Sequence, residues 1–354
     1  MQPTGCDRSG GQSGDAYAMP IVTLYEFIGR EAASRGRRVR QQAIISAMRN
    51  LLLVCAVFIA AAAQPLCAQQ GGARPTPPAM PDAPPAATGA GPGHENLVYS
   101  VADGQTLLLD IFEPANNDGL PRPAIILIHG GAWTSFDKST MRQLAQFLAV
   151  AGFVAIPVDY RLFHDDSNRW PAQLDDVQRA VRWVRANSSK YNVDRNHIGA
   201  YGHSAGAQLA LMLGMMETRD NSDPALAKYS SKVQAVVEAS GPTDLAAQSD
   251  PDGMKFVASF LGGDYATHPE LWREASPISH VAKSNAPILI IHGTRDEMVP
   301  FAQAEALNDA LKKAGADVKF LRLDSDHMFS DPAAHRQLVL ETQAFLFRHL
   351  ASAP

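Results

Sequence analysis

Three residues lie far apart in this chain, each just after an apolar run, and together they could break an acyl bond. Ser204 sits inside Gly202-His203-Ser204-Ala205-Gly206, a G-x-S-x-G pentapeptide. Asp296 follows the run Ile288–Ile291 in His292-Gly293-Thr294-Arg295-Asp296, and His327 follows Val318–Leu323 in Asp324-Ser325-Asp326-His327. A serine hydroxyl is a weak nucleophile until a base takes its proton. An imidazole base in turn needs a carboxylate to fix its tautomer and stabilise its cation. The chain order serine, acid, histidine suits an architecture that brings the ends of successive strands together. Ser204 is therefore assigned as nucleophile, His327 as general base and Asp296 as orienting acid.

The setting of the pentapeptide gives it weight. Ile198–Tyr201 runs into it as an apolar strand and Ala205–Met216 leaves it as an apolar helix. Such a sharp strand-to-helix turn holds a serine in a strained backbone and exposes its hydroxyl. Acyl transfer also needs donors for the tetrahedral oxyanion. His129-Gly130-Gly131-Ala132-Trp133 follows the strand-like run Ala124–Ile128, and the N–H groups of Gly130, Gly131 and Ala205 are assigned to that role. Among the rivals, Glu297 should point away from so tight a turn, and Asp324 and Asp326 should shape the histidine loop. His292, still on its strand, reads as a buried structural residue. His203 is too closely tethered to Ser204 to be its base and is assigned to the substrate pocket with Trp133, Met328 and Phe329.

Something must carry these groups to one place. Short apolar runs at Leu97–Val101, Thr106–Phe112, Ala124–Ile128, Val154–Val158, Ile198–Tyr201, Val233–Glu238, Ile288–Ile291 and Val318–Leu323 predict eight strands. The first two form a hairpin, and the central ones are apolar throughout, as strands covered on both faces are. Helical periodicity predicts helices over Ser139–Ala151, Pro171–Asn187, Ala205–Met216, Ala302–Lys313 and Ala333–Leu350. The alternation predicts an α/β class: a mostly parallel eight-stranded sheet flanked by helices. Residues 243–281 break the rhythm and read as a small insertion between strands 6 and 7, over the carboxyl edge where ligands bind in such sheets.

Composition narrows the function classes. With 31 Lys+Arg against 36 Asp+Glu there is no basic footprint for nucleic acid. The three cysteines, Cys6, Cys55 and Cys67, all precede residue 68, so the rest of the chain has no disulfide, thiol nucleophile or thiolate metal site. No metal or cofactor is expected. Leu51–Ala63 is apolar, follows Arg49 and precedes Leu66-Cys67-Ala68. That run reads as a signal peptide cleaved near Ala68, a membrane anchor being the competing reading. The expected organisation is an N-terminal extension and signal peptide over 1–68, a Pro/Ala/Gly-rich linker over 69–93 and one catalytic domain over 94–354. A periplasmic or secreted protein, without stable membrane association after cleavage, follows from that reading.

The stretch from Asn96 to Leu350 resembles the α/β-hydrolase superfamily, and HGGAW, VDYRL, GHSAGA, SGPTDL, SPISHV, GTRDEMVP and DSDHMF resemble its esterase/lipase branch. The resemblance implies an α/β-hydrolase fold and metal-free hydrolysis of a small-molecule ester through an acyl-enzyme. Short-chain or aromatic carboxylic esters are the expected substrates. An arylformamidase, or an acetyl or feruloyl esterase acting on carbohydrate, would use the same residues. A non-catalytic binding module would be expected to have lost one of the three. The resemblance also implies that Asp159 and Arg161 of VDYRL support the oxyanion loop.

Overall fold

A computed structural model describes residues 92–115, 119–247 and 251–351. The N-terminal extension, the signal segment and nearly all of the linker lie outside the described residues. The strands are β1 (Pro92–Ala102), β2 (Gln105–Phe112), β3 (Arg122–Ile128), β4 (Val154–Val158), β5 (Val193–His203), β6 (Ala235–Ala239), β7 (Ile288–Gly293) and β8 (Val318–Leu323). The helices are α1 (Arg142–Val150), α2 (Ala172–Ala186), α3 (Ala205–Met215), α4 (Pro251–Leu261), α5 (Pro269–Ala275), α6 (Phe301–Ala314) and α7 (Pro332–Leu350).

All eight strands join one sheet in the order β1-β2-β4-β3-β5-β6-β7-β8. β1 and β2 form the expected hairpin, with Ala102 opposite Gln105 and positive φ at both Asp103 and Gly104. An Asp-Gly pair with that geometry makes a two-residue turn whose twist matches the flanking strands. β2 is antiparallel to β4, and from β4 onward every pairing is parallel. β4, β6 and β7 are buried at every residue because helices cover both faces.

Burial divides the core into two layers. Val177 of α2, Leu209 of α3 and Leu307 of α6 pack on one face with Ile126, Ile156 and Ile290. Leu148 of α1 and Leu338 and Leu346 of α7 pack on the other with Ile125, Leu127 and Leu289. α3 has no polar side: every residue from Ala205 to Met215 is buried. Its only role compatible with that pattern is as the central helix behind the β5 turn.

The expected elements are present with shifted ends. β1 starts at Pro92, two residues inside the predicted linker, and the first predicted helix opens with a separate 3-10 turn at Lys138–Met141. The interruption between β6 and β7 contains α4 and α5, which periodicity did not separate from loop. Each is short and buries few residues, Val257, Phe260 and Leu261 in α4 and Trp272 and Ala275 in α5. Among the described residues, no helix is long and apolar enough to cross a membrane.

The end of β4 is locked to α2 by a buried ion pair. Asp176 accepts from the Arg161 backbone N–H at 2.9 Å, from Nε at 2.8 Å and from Nη2 at 2.9 Å. Arg161 also pairs with Asp103 in the hairpin turn. Arg161 thus ties the hairpin to α2 and does not reach the oxyanion loop, contrary to the sequence-based expectation. Breaking one side of such a pair leaves an uncompensated buried charge, so Arg161→Met should cost about 3 kcal/mol of stability. A lowered urea midpoint with an unchanged m-value is the expected result.

Candidate active site

The β5–α3 turn sets the position of Ser204. The Ser204 N–H continues the ladder by donating to the Ala239 carbonyl at 2.9 Å, while φ is 55° and ψ is −123°. A positive φ on a non-glycine residue costs on the order of 1–3 kcal/mol and persists only where surroundings enforce it. Here the enforcement is steric. A β-carbon at Gly206 would overlap the carbonyl oxygens of Ile128 and His129, and one at Gly202 would overlap that of Gly206. Glycine at both positions lets α3 seat directly against the end of β3.

The acid and base loops are knitted together at the ends of β7 and β8. Thr294 N–H donates to the Leu323 carbonyl at 2.8 Å and Arg295 N–H to the Ser325 carbonyl at 2.9 Å. That stitching brings Asp296 and His327 beside Ser204. The Ser204 Oγ–His327 Nε2 distance is 3.0 Å and the His327 Nδ1–Asp296 Oδ2 distance is 2.7 Å. With Nδ1–H donating to the carboxylate, Nε2 is left to accept from the serine hydroxyl. The Asp296 side chain is fully buried, and its Oδ1 accepts from the N–H groups of Met298 at 2.9 Å and Val299 at 2.8 Å. Burial alone would push its carboxyl up. Hydrogen bonds from His292, His327 and Val299 outweigh burial and hold it well below the usual carboxylate range.

The loop after β3 is equally constrained. Gly131 has φ 106° and a β-carbon there would overlap the Ser135 carbonyl oxygen, which only glycine avoids. Ala132, Trp133 and Phe136 also have positive φ, and the Gly131 carbonyl accepts from Thr134 and Ser135 N–H at 2.9 and 3.0 Å. Tyr160 is the residue of VDYRL that braces this loop. Its hydroxyl donates to the His129 carbonyl at 3.0 Å, and its ring stacks on His129 at 4.3 Å. Asp159 instead accepts from the Lys138 N–H at 2.8 Å. His129, buried behind the loop, is pushed down to about 4 by burial and donates from Nδ1 to the Gly130 carbonyl at 2.8 Å. Gly130 lies against His203 and Ser204, and Ala205 opens α3, where the first N–H groups of a helix lack intrahelical acceptors. Gly130 and Ala205 therefore flank Ser204, while the neighbours of Gly131 are Ser135 and Phe136 of its own loop.

The four residues assigned to the pocket separate into different roles. Trp133 is 4% exposed: it stacks on Phe260 of α4 at 4.5 Å and donates to Gln208 Oε1 at 3.2 Å. Gln208 Nε2 donates to the Ala275 carbonyl at 2.8 Å, so Trp133 and Gln208 fasten the insertion onto the oxyanion loop. Phe329 is 2% exposed and packs in the other core layer. Both are core anchors, drawn inward because their loops fold back on the sheet. Met328 is half-buried, and Phe136 and Met298 are exposed, which leaves these three as apolar surface on the loops around the serine. His203 donates from Nε2 to the His327 carbonyl at 3.0 Å, with the two rings 5.0 Å apart. It positions the backbone of the base, and burial together with repulsion from His327 pushes it down to about 4.

His292 holds a contact that the sequence reading missed. Its Nε2 lies 3.1 Å from Asp296 Oδ2 and 3.0 Å from the Val299 carbonyl. The spacing from His292 to Asp296 is i, i+4 around a turn, which a residue-by-residue reading of the strand end does not resolve. Beneath it on β6, Glu238 is fully buried, with Oε1 accepting from Gly241 N–H. Among the described residues, no cluster of three or more His, Cys, Asp or Glu could hold a metal ion.

The BD-FAE family profile matches residues 109–311, which contain Ser204, Asp296 and the oxyanion loop. The chain belongs to the BD-FAE family. It is 33% identical over 229 residues to Esterase LipC of Mycobacterium tuberculosis, covering 62% of this chain and 56% of that protein. It is 34% identical over 237 residues to Esterase LipQ of the same organism, covering 65% and 56%. The chain thus spans a little over half the length of these curated relatives. A thermophilic esterase of Thermogutta terrifontis, Est2, superposes with TM-score 0.64 at 28% identity, covering 73% of this chain and 94% of that one. A truncated carbohydrate esterase from gut microbiota superposes with TM-score 0.66 at 28% identity, covering 76% and 99%. The fold is that of the α/β-hydrolase esterases.

Burial raises the Glu238 carboxyl from 4.5 to about 7. Between these values the folded protein binds more protons at this site than the unfolded chain, so stability falls as pH rises. The unfolding free energy of the natural protein relative to that of Glu238→Gln should therefore fall from pH 4.5 to 7, whatever the common slope set by the other titrating groups. Equal slopes would contradict the burial argument.

Proposed function

We propose that this chain is a serine hydrolase that cleaves short-chain or aromatic carboxylic esters through an acyl-enzyme intermediate. The observation that carries the proposal is the continuous line from Ser204 Oγ to His327 at 3.0 Å and from His327 to Asp296 at 2.7 Å, on a serine with positive φ. The esterase names of relatives and the Thermogutta terrifontis esterase solved with propionate and with butyrate bound support the same class and a short acyl group.

In the proposed cycle Ser204 Oγ attacks the ester carbonyl while His327 Nε2 takes the hydroxyl proton. The carbonyl oxygen becomes an oxyanion held by the N–H groups of Gly130, Gly131 and Ala205. Collapse of the tetrahedral intermediate breaks the bond to the alcohol, which leaves with the proton from His327. Water then attacks the acyl-serine with His327 again as base, and the acid departs as Ser204 is restored. Asp296 keeps Nδ1 protonated throughout and stabilises the imidazolium. Phe136, Met298 and Met328 offer apolar contact to the acyl or aromatic part.

Export accompanies this proposal. The support is Leu51–Ala63 with the small-residue end at Ala68, and N-terminal sequencing of the natural protein would be expected to begin near Gln69.

Hydrolysis of p-nitrophenyl acetate, butyrate and octanoate tests the function. Turnover should fall with acyl length, and Ser204→Ala should lower kcat by roughly 10⁴-fold or more while the thermal unfolding midpoint is kept. Activity of Ser204→Ala equal to the parent would exclude the assignment. Silence on all three esters in folded protein would turn the panel to acetylated or feruloylated carbohydrate and to aryl formamides.

A further inference from the structure

Asp296 Oδ2 has two imidazole neighbours, and only one of them touches the serine. His327 Nδ1 is 2.7 Å away and His292 Nε2 is 3.1 Å away. The neighbours of His292 Nε2 are a carboxylate oxygen and a backbone carbonyl, both pure acceptors. That nitrogen therefore carries a proton whatever the charge of the ring. His292 is fully buried on β7 with its ring edge-on to Phe301 of α6 at 5.8 Å, so it has no room to swing away.

The two oxygens of Asp296 differ in what holds them. Oδ1 is pinned by two backbone N–H groups of its own turn. Oδ2 faces His327, whose ring gains and loses a proton in every half-reaction of the proposed cycle. Carboxylate torsions are broad and have no strong intrinsic preference, so a donor at Oδ2 adds to the Oδ1 hydrogen bonds in resisting rotation as the charge on His327 changes. His292 Nε2, whose proton meets the Val299 carbonyl at 3.0 Å, also lies 3.1 Å from Oδ2 on a rigid strand and can share that proton with it.

We propose that His292 is a positioning residue: its Nε2–H clamps Asp296 Oδ2 so that the carboxylate meets His327 Nδ1 in one orientation, which rests on the serine-hydrolase reading. The geometry behind it is selective. His292 Nδ1 and Glu238 Oε2 are both buried without a hydrogen-bond partner among the described residues. Glu238 pairs in register with Ile290, two residues before His292, so both side chains leave the same face of the sheet. Burial of an unsatisfied polar atom costs about 1–3 kcal/mol, a cost that a leucine at 292 would remove for Nδ1. A histidine placed there at a stability cost is explained by what its Nε2–H reaches, the Val299 carbonyl and Asp296 Oδ2.

The test compares the parent with His292→Leu, His292→Gln and His292→Asn on p-nitrophenyl acetate, together with the downfield His327 Nδ1–H proton resonance in NMR. Glutamine carries its amide nitrogen at the Nε2 position, whereas asparagine is one bond too short to reach Oδ2. Leu and Asn should lower kcat roughly 10- to 100-fold with KM within about two-fold, because orientation and not substrate binding is lost. Gln should recover most of kcat and keep the parental resonance, while Leu shifts or broadens it. If the Leu variant fails to fold, the Gln and Asn pair makes the same comparison. A Leu or Asn variant with parental kcat and resonance, or a Gln variant as slow as Asn, overturns the proposal. Activity surviving Ser204→Ala would instead overturn the serine-hydrolase reading, and the NMR comparison reads the clamp without turnover.

Discussion

The backbone of Ser204 is the constraint on which the carboxyl edge of this sheet depends. A strand that ends and a helix that begins within one residue must pass almost through each other, and only hydrogen side chains at Gly202 and Gly206 permit it. The same contact puts α3 against the carbonyl oxygens of Ile128 and His129, so the turn that raises the serine also fixes where the next strand's loop begins. Tyr160 then holds that loop from the far side by its hydroxyl. Ser204 and the start of the loop after β3 are thus placed by one packing problem, solved with two glycines.

The histidines near the site show how one side-chain type takes different states from its surroundings. His129 and His203 face backbone carbonyls in the interior, and burial keeps both neutral. His292 is raised: burial opposes its charge, but the Asp296 hydrogen bond and the Glu238 carboxylate outweigh burial. His327 is the one that connects a carboxylate with a hydroxyl. Sequence position alone would rank His203 as close a partner to Ser204 as any, yet its ring reaches the carbonyl of His327 and not the serine.

Much of this was legible in the chain. Short apolar runs located all eight strands, the central ones because parallel strands covered on both faces do not alternate, and β4 and β8 have the predicted ends. Ser204, Asp296 and His327 are brought together as their order and strand-end positions implied. Less legible were contacts made across loops. Arg161 was expected beneath the oxyanion loop and instead binds Asp176, since a motif names neighbours in sequence and not the helix that folds over them. Trp133 and Phe329 were expected in the pocket because aromatic residues after strand ends can face either way. Their burial follows from α4 and from the fold-back of the histidine loop, neither of which leaves a local signal.

The insertion between β6 and β7 gains its importance from Trp133. That indole stacks on Phe260 of α4 and reaches through Gln208 to the Ala275 carbonyl at the end of α5, while its own carbonyl accepts from Phe163 N–H at 2.8 Å. One residue of the oxyanion loop therefore touches α4 and the loop after β4 directly and is linked to the end of α5 through Gln208. Moving α4 would disturb the loop that carries the oxyanion donors, because a stacked, buried indole cannot slide without losing several close contacts at once. Displacement of the insertion and displacement of the loop beside Ser204 are thus mechanically joined.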